Sequence, residues 1–115
     1  MWVTFTQQPV EAQVAITPAA LNPASRGQWI TAYITLPKPY REKEIDINTV
    51  KLWYDDAFVP AEWGFQTRHV AVAKFPRTRV AGMLSAAHGT TQLTVTGLAD
   101  DTPFTGTDTI LVLNP

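Results

Sequence analysis

Histidines, adjacent carboxylates and flat aromatic rings are the side chains here that could do chemistry. His69 and His88 are the two histidines of the chain, and neither has an Asp or Glu beside it. A general base needs a positioned partner and a nucleophile within hydrogen-bond reach, and no Gly-x-Ser-x-Gly elbow supplies one. Cysteine is absent, which removes thiol catalysis, disulfides and zinc ribbons together. Two histidines without a third ligand at fitting spacing do not make a zinc site. The expectation is no catalytic residue, no metal and no cofactor. Asp55-Asp56 and Asp100-Asp101 look like paired acids. Adjacent turn residues usually point apart, however, and Asp is a preferred turn residue; weak calcium binding is the alternative at either pair.

The aromatics carry the sharper expectation. Trp29 and Tyr33 lie opposite an aliphatic row of Ile30, Ala32, Ile34 and Leu36, and Trp53 opposes Val50 and Leu52. Rings displayed on a sheet can stack on the apolar C–H faces of sugars, so Trp29, Tyr33 and Trp53 are the candidate ligand-binding residues. The competing reading covers the same rings with a loop or helix, since large aromatics usually bury most of their area. Trp63 and Tyr40 read as loop anchors.

The elements that must position these rings are short strands. Side chains alternate across a strand, and Gln28 to Leu36 alternates most clearly. Ala12, Val14 and Ile16 share a spacing of two up to Pro18; Val50, Leu52 and Tyr54 share it up to Asp55-Asp56. Trp2 to Thr6 reads as a short edge strand, with Pro9 barring a central one. Ala19 to Gly27 reads as loop. Tyr40 to Asn48 is a charged crossover with a turn of helix at Glu42 to Ile45. Phe58 to Trp63 reads as one short strand broken by Pro60, and Arg68 to Phe75 as a central strand. Val80, Met83 and Leu84 form the stripe of a short helix over Arg77 to Leu84. The Thr-rich tail forms a closing hairpin: Thr91 to Val95, ended by Gly97, then a tight bend at Gly106, then Thr107 to Leu113. In that last strand Ile110 and Val112 oppose Leu111 and Leu113, which predicts cover on both sides.

Length and charge set bounds. At 115 residues the chain can bury a self-sufficient core as one domain. Lys+Arg number 9 against 10 Asp+Glu, so no basic field exists for nucleic acid or an anionic membrane. Lys and Arg stop at Arg79, leaving the middle mildly basic, which reads as a polar sheet face rather than a binding patch. No apolar run approaches the ~20 residues of a membrane span. Met1-Trp2-Val3-Thr4-Phe5 has neither the basic nor the apolar region of a signal peptide; the protein is then either cytoplasmic or a mature segment cut from a longer secreted chain.

Four stretches taken together carry a resemblance: Asn22-Pro23-Ala24-Ser25-Arg26-Gly27-Gln28-Trp29-Ile30-Thr31-Ala32-Tyr33-Ile34, Ile45-Asp46-Ile47-Asn48-Thr49-Val50-Lys51-Leu52, Ala73-Lys74-Phe75, and the closing hairpin. In order and rough spacing, over about Val14 to Val112, the chain resembles an immunoglobulin-like β-sandwich accessory module. Such modules are repeated in secreted and surface-layer-associated proteins of bacteria and archaea. The resemblance implies a sandwich used beside other domains, without enzymatic activity of its own. Family members often carry an Asp-rich, calcium-loop-like segment before the Lys-Phe pair. Here that place reads Gly64-Phe65-Gln66-Thr67-Arg68-His69, without a carboxylate, so no calcium site is carried over.

The chain thus reads as all-β: an immunoglobulin-like Greek-key sandwich of seven to eight strands with one short helix. It forms a single module over 1–115, with 1–10 an edge strand or linker and 11–113 the core. The expected role is a non-catalytic structural, spacer or presentation module of a multidomain extracellular or cell-envelope protein. Its expected partners are neighbouring domains of the parent chain or another envelope protein, with no nucleic acid and no membrane insertion. One alternative is a carbohydrate-binding module that uses the aromatics on polysaccharide; a second is a protein-docking module that pairs through an edge strand.

Overall fold

A computed structural model describes residues 8–22, 27 and 29–113; the expected strand at Trp2 to Thr6 lies outside them. In chain order the elements are β1 (Val10–Glu11), β2 (Gln13–Thr17), β3 (Ala20–Leu21), β4 (Trp29–Thr35), a 3-10 turn (Glu42–Glu44), β5 (Ile45–Tyr54), β6 (Ala57–Pro60), β7 (Trp63–Gln66), β8 (Ala71–Pro76), α1 (Arg77–Met83), β9 (Gly89–Ala99) and β10 (Thr102–Val112). They form two packed sheets. One has the order β1-β10-β9-β5-β6, with β3 also on β10, and the other the order β2-β4-β8-β7.

That order is informative. Lettering β2, β4, β5, β7, β8, β9 and β10 as A to G gives A-B-E-D in one sheet and C-F-G in the other, the distribution of an immunoglobulin-type sandwich. The connections β4–β5, β6–β7 and β8–β9 each pass from one sheet to the other.

The two-residue alternation accounts for the core. Ile30, Ala32 and Ile34 of β4, Val50 and Leu52 of β5, Leu93 and Val95 of β9, and Phe104 and Ile110 of β10 all turn inward and are buried. β8 sits between β4 and β7, as the apolar character of both its faces predicts. In α1, the stripe of Val80, with Leu84 just beyond, is fully buried in the core, and the helix closes the sandwich between β8 and β9.

Several expectations need correction. Phe58 to Trp63 is not one strand: β6 borders the six-stranded sheet and β7 the four-stranded sheet, with the chain changing sheets after Pro60. Ala19 to Gly27 contains a two-residue strand, β3, parallel to the end of β10. Leu111 and Leu113 are exposed while Ile110 and Val112 are buried, so β10 is covered on one side. Gly97 does not end its strand. A Cβ there would lie 2.8 Å from the Phe104 ring, so the glycine makes room for a core aromatic. Gly106 lies within β10 rather than at a bend, and a Cβ there would meet the Ala12 carbonyl oxygen at 2.6 Å.

β5 starts earlier than its apolar alternation suggests, and its pairing to β9 shifts register between Asp46 and Lys51. Side chains stitch this irregularity. Asp46 accepts from the Asn48 amide (3.0 Å), the Thr49 hydroxyl donates to the Asp46 carbonyl (2.7 Å), and the Leu98 amide donates to the Thr49 hydroxyl (2.9 Å). They stand in for ladder bonds that the bulge forfeits.

Candidate functional site

The outer face of the four-stranded sheet is built from rows of directly paired residues. Thr17, Thr31, Lys74 and Trp63 form one row; Ala15, Tyr33, Val72 and Phe65 form the next. Directly paired residues point to the same side, so Trp63 and Phe65 share the face of Tyr33. Trp29 stands on this face too, one step beyond Thr31 on the row it shares with Pro76.

Trp29, Trp63 and Phe65 are in contact. Trp29 and Trp63 meet edge to face with centroids 5.9 Å apart, and Trp63 and Phe65 lie 6.4 Å apart. Such geometries are favourable for aromatic quadrupoles. Lys74 donates to the Thr31 hydroxyl at 2.9 Å, and its ammonium lies 6.0 Å from the centre of the Trp63 ring. The lysine therefore holds its neighbours in place as well as contributing a charge.

Three rings stay open to solvent, and two of them, Trp63 and Phe65, pack on each other. Tyr33 is 40% exposed, Trp63 44% and Phe65 45%, while Trp29 is half-buried. Val72, between Tyr33 and Phe65 in its row, is 4% exposed yet stands apart from the core cluster. It forms an apolar floor beneath the rings. The result is a preformed patch of aromatic surface with one ammonium, that of Lys74, among its rings.

The structure therefore brings Trp29 and Tyr33 together and separates Trp53 from them. Trp53 projects from the outer face of the other sheet, where its indole N–H donates to the Thr96 hydroxyl at 2.8 Å. It packs there on Phe58 with centroids 4.7 Å apart, and Lys51 lies 4.8 Å from the Phe58 ring centre. Trp63 is no loop anchor; with Phe65 it completes the four-ring face. Their i, i+2 spacing around Gly64 was the available signal, and Pro60 obscured it. Gly64 has a backbone reason of its own: a Cβ there would lie 2.2 Å from the Val72 carbonyl oxygen.

The remaining candidates are placed simply. Asp55 and Asp100 take positive φ, each 51°, in the turns joining β5 to β6 and β9 to β10, as their turn preference predicts. His69 lies in the turn after β7 rather than in a strand, and His88 in the loop before β9; both are exposed. Among the described residues no group of three or more His, Asp and Glu stands close enough to hold a metal ion. No helix among them is long and apolar enough to cross a membrane. No family model and no curated protein matches the chain. Its architecture by itself is that of a strand-rich, two-sheet domain broadly consistent with an immunoglobulin-like sandwich.

Proposed function

We propose that this chain is a non-catalytic carbohydrate-binding module that lays a polysaccharide across the outer face of its four-stranded sheet. Trp29, Trp63, Phe65 and Tyr33 supply the stacking surfaces, and Lys74, held by the buried Thr31 hydroxyl, supplies a polar contact between them. The observation that supports this most is the exposure of three aromatic rings on one sheet face, with Trp63 packed between Trp29 and Phe65. Contiguous apolar surface left open on a folded domain marks an interaction site. Rings already held by their neighbours lose little conformational freedom on binding, which favours affinity. Trp53 takes no part in this reading, because it faces the opposite side. The resemblance to accessory modules supports a setting in an extracellular or cell-envelope protein, beside other domains.

A spacer role is the second reading, and one feature favours it. Val10 of β1 pairs in parallel with Phe104, and Val112 ends the same strand eight residues on. The described chain thus enters and leaves near opposite ends of β10, about 27 Å apart at ~3.4 Å per residue. A module of that shape holds its neighbours apart while its side face remains free.

Affinity electrophoresis through gels cast with a panel of plant, fungal and bacterial polysaccharides tests the proposal. The chain should be retarded by at least one polymer, Trp29→Ala/Trp63→Ala should migrate freely, and Trp53→Phe should behave like the parent. Free migration of the parent in every gel, or equal retardation of the double variant, would leave the spacer reading alone.

A further inference from the structure

The aromatic rows do not stop at Tyr33 and Phe65. Two residues further along the same face come Thr35 on β4 and Thr67 at the end of β7, and both line a depression of about 1090 Å³ at that end of the sandwich. The depression lies between the segment Leu36 to Lys43 and the turn that carries Arg68 and His69. The turn is held by Thr67, whose hydroxyl accepts from the His69 and Val70 amides at 3.2 and 3.0 Å.

Its charge is lopsided. Four of the nine Lys and Arg of the chain, Lys38, Arg41, Lys43 and Arg68, line it together with His69. One carboxylate, Glu42, lines it too, but that side chain is buried and accepts from the Leu36 amide at 2.7 Å. The four cations are exposed, and none makes an ion pair or side-chain hydrogen bond with another described residue. A chain of formal net charge −1 has therefore gathered unpaired cations at one end of its aromatic face. Charges of one sign lining a concavity focus the field and attract ligands of the opposite sign.

We infer that the polysaccharide gripped by this module is anionic, with uronic-acid carboxylates along its chain. Resting on the reading above, this assigns the rings to apolar sugar faces and the depression to carboxylates of residues further along the polymer. Arg41 and Arg68 offer planar forks matched to carboxylate oxygens, and Lys38 and Lys43 act as point charges beside them.

Calorimetric titration with polygalacturonate, with the same polymer fully methyl-esterified, and with polyglutamate tests the inference. Polygalacturonate should bind more tightly than its ester, and added NaCl should erase the difference by screening. Arg41→Ala/Arg68→Ala should weaken polygalacturonate binding by about twofold to thirtyfold, the range that two exposed ion pairs span, and leave the ester unaffected. Trp63→Ala should weaken both polymers, and Arg79→Ala on α1 should change neither. Equal binding of polygalacturonate and ester, insensitive to salt, would overturn the inference and leave the aromatic reading standing. Polyglutamate binding as tight as polygalacturonate and unchanged in Trp63→Ala would overturn it in favour of an acidic protein partner. If neither polygalacturonate nor its ester binds while the electrophoresis panel shows retardation by a neutral polymer, the inference falls alone; if the panel is blank as well, both readings fall.

Discussion

The indoles of Trp29 and Trp63 meet at 84° with their centroids 5.9 Å apart, although β4 and β7 are not neighbours in their sheet. β8 lies between them, and the two rings close over it. The site consequently exists only once three strands have paired in register. A slip of one residue in β8 would send Lys74 inward and an inward residue out between the rings.

Trp63→Ala should separate binding from stability. The ring is 44% exposed and its aromatic contacts are worth about 0.5–1.5 kcal/mol beyond area burial. Unfolding in urea should show a loss of that order, with a cooperative transition retained, while polysaccharide retention disappears. Loss of the transition itself would mean that the ring holds up the fold rather than serving a ligand.

Glu42 should behave as a structural acid. Its buried carboxylate accepts from the Leu36 amide at 2.7 Å, where the chain leaves β4 for the crossover. Glu42→Ala leaves that donor unpaired and should cost about 1–3 kcal/mol, measured by urea unfolding. Glu42→Gln keeps an acceptor and should recover part of the loss; an alanine variant as stable as the parent would show that water replaces the carboxylate.

Asp108 couples the two sheets. Its carboxylate accepts from the Ile16 amide at 2.8 Å, linking β10 in one sheet to β2 in the other. Asp108→Ala should destabilise by about 1–3 kcal/mol and accelerate amide hydrogen exchange in β2 before β8. Uniform acceleration across both sheets would argue against a local clamp.

Gly106→Ala tests a close approach. Its Cβ would meet the Ala12 carbonyl oxygen at 2.6 Å and Val14 at 2.5 Å, and forcing atoms into a packed site costs about 1–3 kcal/mol. Proteolysis at the β1–β2 junction should become faster in the variant. An unchanged cleavage rate would show that this segment yields without cost.

Local periodicity explains what the sequence disclosed. Ile30, Ala32 and Ile34 had to share a face whichever strands flanked them, and Val80 with Leu84 had to share a helical stripe. Period two gives the side of a strand that a residue occupies, but not the sheet to which the strand belongs. Hence the outward direction of Trp53 was readable and its separation from Trp29 was not, since that depends on β5 pairing with β9 rather than β4. The same gap merged β6 with β7, because the change of sheet after Pro60 leaves no mark in the alternation.

Glycines misled for a related reason. Gly97 and Gly106 look like breakers in isolation, and only their neighbours in space, Phe104 and Ala12, show why a side chain is excluded. The cationic depression was hidden by distance along the chain: Lys38 to Lys43 and Arg68 meet only after the β7–β8 turn folds beside the crossover. In sequence they were no more than a mildly basic middle.

The most direct test is a two-dimensional ¹H–¹⁵N NMR titration that follows the tryptophan indole N–H signals as a bound polysaccharide is added. The signals of Trp29 and Trp63 should move together and saturate with the backbone amides of β4, β7 and β8, while the Trp53 signal, held by Thr96, stays in place. Movement of Trp53 with Trp29 and Trp63 unmoved would put the ligand on the other sheet and contradict the account.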